Sequence, residues 1–276
     1  MATKRELVKE NGYILDVCEA TPFVWEGRLY LMTCHRPSKG RLAKDHFLTI
    51  RDGTGRELIS RFGEGHSLAC LLVAGNRFNV LASRWEDDTW NDITLFRSPD
   101  MRSWSSKVIL RQEPPEHIFN TSVCPVDDHF VMAYETNDPA YKPFSAKFAR
   151  SEDLENWERV EGAVFAPDRY AACPCIRFHD GYYYMLYTEH IEPRWWFEIY
   201  MVRSENLVDW EPSPRNPIIS PEEGEDINTS DPELVEFEGR TYLYYSIGDQ
   251  RTYSMLKRAR FEGGTGKFFE WCYEAD

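Results

Sequence analysis

The sequence predicts an all-β fold, a five-bladed β-propeller whose blades are four-stranded antiparallel sheets. The first observation behind this prediction is a repeated phrase. RSPDMRSW (97–104), RSEDLENW (150–157) and RSENLVDW (203–210) begin 53 residues apart each time. Repeats of about 50 residues are typical of propeller blades.

The second observation is a series of five tight-turn signals, each between two runs of aromatic and β-branched residues. An acidic or amide residue beside glycine between two such runs marks a β-hairpin. The turns centre on Gly27, Gly75, Asp128, Gly181 and Gly239, at intervals of 48, 53, 53 and 58 residues. Five hairpins predict five blades in one domain, at approximately residues 12–64, 65–116, 117–168, 169–221 and 222–276.

The tryptophan that ends each phrase has a structural interpretation. Trp104, Trp157 and Trp210 recur at the period of the repeat, which favours packing between neighbouring sheets. The phrase itself fits the turn and outer strand of a blade. Closure of the ring brings the last blade against the first, and the residues before Gly12 are expected to add a strand to the final blade.

Composition excludes several classes of partner. Asp and Glu number 46 against 32 Lys and Arg, and the net charge is −14, so nucleic acid and anionic membrane are poor partners. No apolar run approaches the ~18 residues of a membrane span, and the N-terminus has no secretory pattern. Seven scattered cysteines, two of them on either side of Pro174, predict buried thiols in a reducing, cytoplasmic compartment and no metal site.

The axis of the propeller is where function is expected. Residues just before the first strand and just after the second strand of each blade converge on one funnel. Counting eight residues back from the five turn centres gives Glu19, Ser67, Asn120, Cys173 and Asp231. Residues after the second strands are mostly polar or aromatic: Cys34, His35, Arg36, Arg84, Trp85, Glu135, Asn137, Asp138, Glu189, His190, Asp249 and Gln250.

Two interpretations of these polar residues stay open. Asn, Ser and Asp commonly satisfy backbone groups at turns and strand ends. Alternatively, a funnel of carboxylates, amides, an arginine and aromatic rings suits an oligosaccharide, because rings stack on sugar faces and polar groups receive hydroxyls. Trp195 and Trp196 could extend such a platform or pack between blades.

Three segments carry a resemblance to a known group of enzymes. The phrases RSEDLENWE and RSENLVDWE and the hairpin IRFHDGYYYMLYTE (176–189) resemble the five-bladed propeller glycosidases of glycoside hydrolase families 43 and 32, and their relatives in families 117 and 130. The resemblance implies cleavage of a glycosidic bond by paired carboxyl groups. It also implies an acid just before the first inner strand, an aspartate on another blade and a glutamate in a Glu-x-Pro segment.

The chain departs from that pattern at the glutamate. Glu19 matches the first acid, with Asp16 as a substitute, but the Glu-x-Pro segment reads Ala172, Cys173, Pro174. An acid from another blade is therefore needed, and Glu189, Glu135 and Asp231 are the candidates. We predict Glu19 as base or nucleophile and Asp231 or Glu189 as acid.

Substrate contacts are predicted for six further residues. His66 and Asn120 are expected to orient sugar hydroxyls, and Arg84 is expected to hold an acidic group on the sugar. The complete predicted set is His66, Arg84, Trp85, Asn120, Glu135 and Asn228.

Other interpretations of the resemblance remain. The chain could bind a glycan without cleaving it, or act as a phosphorylase like family 130 members, with His35, Arg36, Arg84 and His190 binding phosphate. No cofactor is required. A calcium ion on the axis, present in some relatives, is conceivable near His66, although the chain contains no Asp-rich loop of calcium-binding spacing.

Overall fold

The computed structural model describes residues 6–14, 19–36 and 42–274. These residues form five four-stranded antiparallel sheets, one per blade, which confirms the predicted fold. β1 (Leu7–Lys9) belongs to blade 5. Blade 1 contains β2 (Glu19–Trp25), β3 (Arg28–His35), β4 (Phe47–Asp52) and β5 (Leu58–Phe62), with a 3-10 turn at Ala43–Asp45.

The remaining strands follow in chain order. Blade 2 contains β6 (His66–Ala74), β7 (Arg77–Glu86), β8 (Thr89–Ser98) and β9 (Ser105–Leu110). Blade 3 contains β10 (Ile118–Val126), β11 (His129–Thr136), β12 (Ser145–Ser151) and β13 (Glu158–Phe165). Blade 4 contains β14 (Ala171–His179), β15 (Tyr182–His190), β16 (Phe197–Ser204) and β17 (Glu211–Pro212), and blade 5 contains β18 (Thr229–Phe237), β19 (Arg240–Gly248) and β20 (Ser254–Phe261).

The N-terminal segment closes the ring. β1 pairs antiparallel with β20, with Leu7 opposite Phe261 and Lys9 opposite Ala259. Blade 5 therefore combines strands from both ends of the chain, and the expectation for the residues before Gly12 is confirmed. Helix α1 (Thr265–Tyr273) follows β20 and buries Phe268 and Phe269.

All five predicted hairpins are present between the first and second strands of the blades. In four of them both turn residues have positive φ, the signature of type I′ turns: Glu26–Gly27, Gly75–Asn76, Asp180–Gly181 and Glu238–Gly239. The hairpin of blade 3 turns at Asp127–Asp128, between the paired residues Val126 and His129.

The three repeated tryptophans pack between blades, as predicted. Trp104 stacks on Phe62 of blade 1 with ring centroids 3.8 Å apart, and Trp210 stacks on Phe148 of blade 3 at 5.6 Å. Trp157 packs into an apolar cluster built from blades 2 and 3. Each tryptophan precedes the fourth strand of its blade and contacts the blade before it, so the repeated phrase supplies the contact that holds consecutive sheets together.

No helix among residues 6–14, 19–36 and 42–274 is long and apolar enough to cross a membrane.

Candidate active site

Four of the five inner strands are interrupted near their start by one residue with positive φ. These residues are Leu68 (50°), Asn120 (48°), Cys173 (55°) and Asp231 (52°). The pairing register with the second strand shifts at each of them. A bulge of this kind re-aims a side chain, and bulges are over-represented beside active sites. Together with Glu19, at the start of β2, they all line one central cavity.

The prediction of Ser67 for blade 2 was wrong by one residue, since the bulge falls on Leu68. Gly75 is the first residue of its two-residue turn, whereas the other turn centres are second residues. Counting eight residues back from Gly75 therefore gives a position one residue before the equivalent position in the other blades. Blade 2 consequently contributes an apolar side chain to the ring.

The cavity has a volume of about 550 Å³ and lies at the end of the axis where the inner strands begin. It is lined by residues from all five blades: Glu19, Arg36, Leu68, Trp85, Asp88, Thr89, Trp90, His117, Phe119, Asn120, Glu135, Asn137, Pro143, Phe144, Tyr170, Ala172, Cys173, Ser230, Asp231 and Gln250. This size suits a small number of sugar rings. Four carboxyl groups line it: Asp88 is exposed on the turn between β7 and β8, and Glu19, Glu135 and Asp231 come from blades 1, 3 and 5.

Glu135 is the most deeply buried of these carboxyl groups, with 2% of its surface exposed. Its Oε1 atom accepts a hydrogen bond of 2.6 Å from Asn120 Nδ2 and another from the backbone N–H of Cys173. Burial raises the pKa of Glu135 to about 8 against these two donors, and the charges of Asp231 and Glu19 add to the rise. Because both N–H donors point at Oε1, a proton on this group belongs on Oε2.

The position of Glu135 within its blade has counterparts that carry hydroxyl groups. Ser83 of blade 2 and Thr188 of blade 4 occupy the equivalent place on the second strand, opposite the residue that precedes the bulge. Ser83 Oγ accepts from the backbone N–H of Asn120, and Thr188 Oγ1 accepts from that of Asp231. A hydroxyl therefore suffices to satisfy the bulge of the next blade, and the carboxyl group of Glu135 exceeds what this structural role requires.

Glu19 is paired with the arginine that lines the cavity. Arg36 Nη2 donates to Glu19 Oε1 at 2.8 Å, while Glu19 Oε2 is buried and has no hydrogen-bond partner among the described residues. Burial raises the pKa of Glu19 to about 7, the guanidinium of Arg36 opposes this rise, and the charge of Asp231 adds to it. The ion pair with Arg36 thus favours the ionised form of Glu19, although Glu135 and Asp231 lie in the same cavity.

Asp231 lies at the end of a directional hydrogen-bond chain. Asn228 Nδ2 donates both to the backbone oxygen of Ser246, which can only accept, and to Ser230 Oγ at 3.0 Å. The Ser230 hydroxyl then donates to Asp231 Oδ2 at 2.5 Å. Gln250 Nε2 completes the network by donating to Asn228 Oδ1 at 2.7 Å. The direction of these hydrogen bonds makes Asp231 Oδ2 an acceptor.

The other oxygen of Asp231 meets the side chain of the neighbouring blade. Cys173 Sγ lies 3.1 Å from Asp231 Oδ1 as a donor. Burial and the surrounding carboxylates raise the pKa of the Cys173 thiol well above its usual value, so it stays protonated. Glu135, Cys173 and Asp231 therefore form one connected polar floor across blades 3, 4 and 5.

Two aromatic walls stand above this floor. Trp85 and Trp90 of blade 2 pack edge to face with centroids 4.8 Å apart. On the opposite side, Phe144 lies 6.0 Å from Phe119 and 4.8 Å from Tyr170. Both walls line the cavity, so flat apolar surfaces face the space above the carboxyl groups.

Several residues that were predicted for the funnel lie outside the cavity. Glu189 is not among the described residues that line the cavity. Its neighbour Thr188 points toward blade 5, where its Oγ1 accepts from the backbone N–H of Asp231, and successive residues of a strand point to opposite faces. Glu189 instead accepts a hydrogen bond of 3.2 Å from Arg169 Nε. The expectation that Glu189 faces the funnel was wrong.

His66 and Arg84 line a separate pocket of about 340 Å³ beside the cavity, and Trp85 borders both. His66 Nδ1 contacts the Glu64 carbonyl and Nε2 contacts Thr94 Oγ1, each at 3.0 Å. Arg84 forms an ion pair with Glu86. The expected contacts of His66 and Arg84 with a sugar in the funnel do not fit these positions.

The remaining predictions place residues in or directly behind the cavity. Asn120 lines it and also donates to Glu135, and Asn228 is a buried support behind Asp231. Ala172 lines it too, so the segment that departs from the Glu-x-Pro pattern does reach the site but carries no acid there. Asp16 lies outside the described residues.

The predicted basic cluster is not assembled. Of its four members, Arg36 lines the cavity, while His35 stacks on Phe47 at 4.2 Å and His190 stacks on Phe197 at 4.9 Å. Arg84 faces the separate pocket.

Metal-binding groups are also not found in the described part of the chain, where no set of three or more His, Cys, Asp or Glu side chains is placed to hold an ion. The axis below the cavity instead carries the ion pair of Arg177 and Glu233, whose Nη2 and Oε2 atoms are 2.8 Å apart.

Sequence patterns did not point to several residues of the cavity. Tyr170, Phe144 and Phe119 form one wall, and His117 and Trp90 belong to the other side. Trp90 follows the turn after the second strand of blade 2, and Tyr170 precedes the inner strand of blade 4 by one residue. A search for aromatic residues within three positions of the start of each inner strand would have found Tyr170 and Phe119.

Comparisons with known proteins support the fold. No protein-family model matches the chain, and no curated protein matches it significantly. Among solved structures, a thermostable family-43 glycoside hydrolase has a TM-score of 0.71 and 12% identity, covering 94% of each chain. The catalytic domain of the Coprinopsis cinerea GH62 α-L-arabinofuranosidase has a TM-score of 0.71 and 10% identity, covering 93% of this chain and 97% of that one.

A third structure, the Bombyx mori GH32 β-fructofuranosidase, has a TM-score of 0.64 and 14% identity, covering 94% of this chain and 62% of that one. The resemblance inferred from the blade phrases is thereby confirmed for the fold.

Proposed function

We propose that the chain is a glycoside-cleaving enzyme acting on an oligosaccharide in the central cavity. The observation that carries this proposal is the convergence of Glu19, Glu135 and Asp231 in one aromatic-walled cavity. Glycoside cleavage needs one carboxyl group that donates a proton and one that acts as base or nucleophile. The glycosidases that share the fold support the same assignment.

Glu135 is the proposed proton donor. Its pKa of about 8 keeps it protonated at neutral pH, and the donors on Oε1 leave Oε2 to carry the proton. In the reaction this proton passes to the glycosidic oxygen as the bond to the anomeric carbon breaks. Glu135 was one of three acids predicted to replace the missing glutamate, and it is the one whose surroundings suit a neutral carboxyl group.

Glu19 is the proposed base or nucleophile, with Arg36 favouring its ionised form. Asp231 has the third role. Its charge raises the pKa of both Glu135 and Glu19 and so helps to keep the acid protonated. The proposal thus moves Asp231 from the predicted role of acid to that of a negatively charged neighbour.

A second candidate function is glycan binding without cleavage. The observation in its favour is Ala172, which places a methyl group in the cavity at the point where the resemblance leads one to expect an acid. Phosphorolysis is less well supported, because only Arg36 of the four predicted basic residues lines the cavity.

The experiment that separates these candidates is a turnover screen of neutral and acidic oligosaccharides, with and without phosphate. Release of new reducing ends without phosphate would support hydrolysis, and dependence on phosphate would support phosphorolysis. Saturable binding without any new reducing end would mean that the cavity only binds. The cytoplasmic location stays a prediction; the six described cysteines are free thiols.

A further inference from the structure

Two neighbouring loops beside the mouth of the cavity form what we call the mouth ledge: residues 191–196, between β15 and β16, and residues 249–253, between β19 and β20. Both loops follow second strands, so they lie at the cavity end of blades 4 and 5. Gln250 of the ledge lines the cavity itself. The ledge is thus continuous with the proposed active site.

The ledge exposes aromatic surface that a structural role does not require. Trp195 is 50% exposed and Tyr253 is 39% exposed. Trp195 is nevertheless fixed in place, because it packs edge to face on Phe197 at 4.9 Å and on His190 at 5.2 Å. A rigid, exposed indole is a stacking surface for an apolar sugar face.

Aromatic contacts connect this indole with the wall of the cavity. Tyr170, which lines the cavity, lies 5.9 Å from His190 and 5.8 Å from Phe197. The same two rings also contact Trp195. A series of aromatic contacts therefore joins Tyr170 in the cavity with Trp195 on the ledge.

The ledge also presents two guanidinium groups, Arg194 and Arg251, beside the carboxyl groups of Glu192 and Asp249. The Arg251 guanidinium lies 5.5 Å from the centroid of Trp195, and that of Arg194 lies 4.8 Å from the centroid of Trp196. Both side chains are exposed, and neither forms an ion pair with any residue that the structure describes.

Glu192 is exposed and forms no ion pair with either arginine among the described residues, and three other nearby carboxylates accept from other donors. Asp249 accepts from the backbone N–H groups of Arg251, Thr252 and Tyr253, and Asp226 accepts from the Tyr253 hydroxyl. Glu198 accepts from the Trp196 indole N–H at 3.1 Å. The two guanidinium groups consequently keep their N–H donors for a ligand.

We propose that the mouth ledge is a binding subsite for an anionic sugar residue of the substrate, with Trp195 stacking on the ring and Arg194 and Arg251 binding its negative group. This inference rests on the proposed function for the identity of the ligand as a glycan. Guanidinium groups bind carboxylate and sulfate by the same charge-assisted hydrogen bonds, so uronate and sulfated sugars share the required chemistry.

The test measures binding of matched oligosaccharides that are neutral, uronate-containing or sulfated, on an array and then by calorimetry. The proteins are wild type, Trp195→Ala, the double variant Arg194→Ala/Arg251→Ala, and Arg102→Ala as a control on an exposed turn of blade 2. An anionic member should bind wild type about tenfold more tightly than its neutral counterpart. The double variant should lose this preference, and the control should keep it.

Trp195→Ala should weaken binding of neutral and anionic members alike, by about 2- to 10-fold. Equal binding of neutral and anionic glycans to wild type would contradict the proposal that the mouth ledge is an anionic subsite, and so would a preference that survives in the double variant. Either result would leave the proposed function intact. Failure of every glycan to bind or to be cleaved would remove both proposals. Whether the uronate or the sulfated member binds identifies the anionic group.

Discussion

Oε1 of Glu135 in blade 3 accepts a hydrogen bond from the backbone N–H of Cys173 in blade 4. In the neighbouring blades the equivalent contact is made by the hydroxyl groups of Ser83 and Thr188. The propeller thus repeats one structural contact and replaces its acceptor with a carboxyl group at a single blade among those described. That replacement places an acid on the floor of the cavity although the Glu-x-Pro position holds Ala172.

Catalytic activity should have a narrow pH optimum. The proposed base, Glu19, has a pKa of about 7 and must be ionised, and the proposed acid, Glu135, has a pKa of about 8 and must be protonated. Activity should therefore rise through about pH 7 and fall through about pH 8, with the apparent values belonging to the coupled pair. A profile of kcat/KM that stays flat from pH 6 to about pH 9 would contradict these assignments.

The Glu135→Gln substitution should stabilise the fold at neutral and alkaline pH. A carboxyl group whose pKa is higher in the folded state than in the unfolded state costs stability as pH rises from about 4.5 to about 8. Glutamine keeps an oxygen for Asn120 and Cys173 but carries no charge. The free energy of unfolding of the variant should exceed that of wild type by on the order of 3 kcal/mol at about pH 8 and match it at about pH 4.

Denaturant titrations at these two pH values measure the difference. Glu189→Gln, on the next blade and outside the cavity, is the control, and a gain of the same size in that variant would show that the effect is not specific to the floor of the cavity.

Removal of the hydroxyl that donates to Asp231 should change the pH dependence of turnover. Ser230→Ala removes the last hydrogen bond of the series that runs from Asn228 to Asp231. The carboxylate of Asp231 therefore loses a donor that stabilises it. We expect kcat to fall by about 3- to 10-fold, because one hydrogen bond to a charged group is worth roughly 1.5 kcal/mol. The alkaline limb should also move to higher pH, since the charge of Asp231, no longer shielded by the hydroxyl dipole, raises the pKa of Glu135 more.

Ser122→Ala provides the matched control for Ser230→Ala, because Ser122 Oγ accepts from the backbone N–H of Ile176 in the next blade and has no hydrogen bond to a carboxyl group of any described residue. If the two variants have identical pH profiles, Asp231 does not have the proposed role.

Truncation of a repeated tryptophan should weaken the contact between blades without touching the site. Trp104→Ala removes the ring that stacks on Phe62. Loss of a large aromatic side chain from a packed cluster costs about 3 kcal/mol, and thermal unfolding monitored by circular dichroism checks it. Trp104→Phe should recover part of the loss; equal stability of Trp104→Ala and wild type would mean that the repeat is not held by these rings.

The sequence predicted the fold more fully than the site, and the reason is physical. The period of 53 residues and the turn residues are local signals, so the five hairpins and the packing of Trp104, Trp157 and Trp210 followed from them. Site residues depend on the alternation of each strand, where an error of one residue reverses the direction of a side chain. That is why Glu189 was placed in the funnel although it does not line the cavity, and Ser67 was predicted instead of Leu68.

The most direct test of the central claim compares two leaving groups in wild type and Glu135→Gln. A natural oligosaccharide needs its departing oxygen protonated, whereas a dinitrophenyl glycoside of the same sugar departs without an acid. If Glu135 is the proton donor, the variant should cleave the oligosaccharide at least about 100-fold more slowly and the dinitrophenyl glycoside nearly as fast as wild type. Equal losses on both substrates, or no loss on the oligosaccharide, would contradict the assignment.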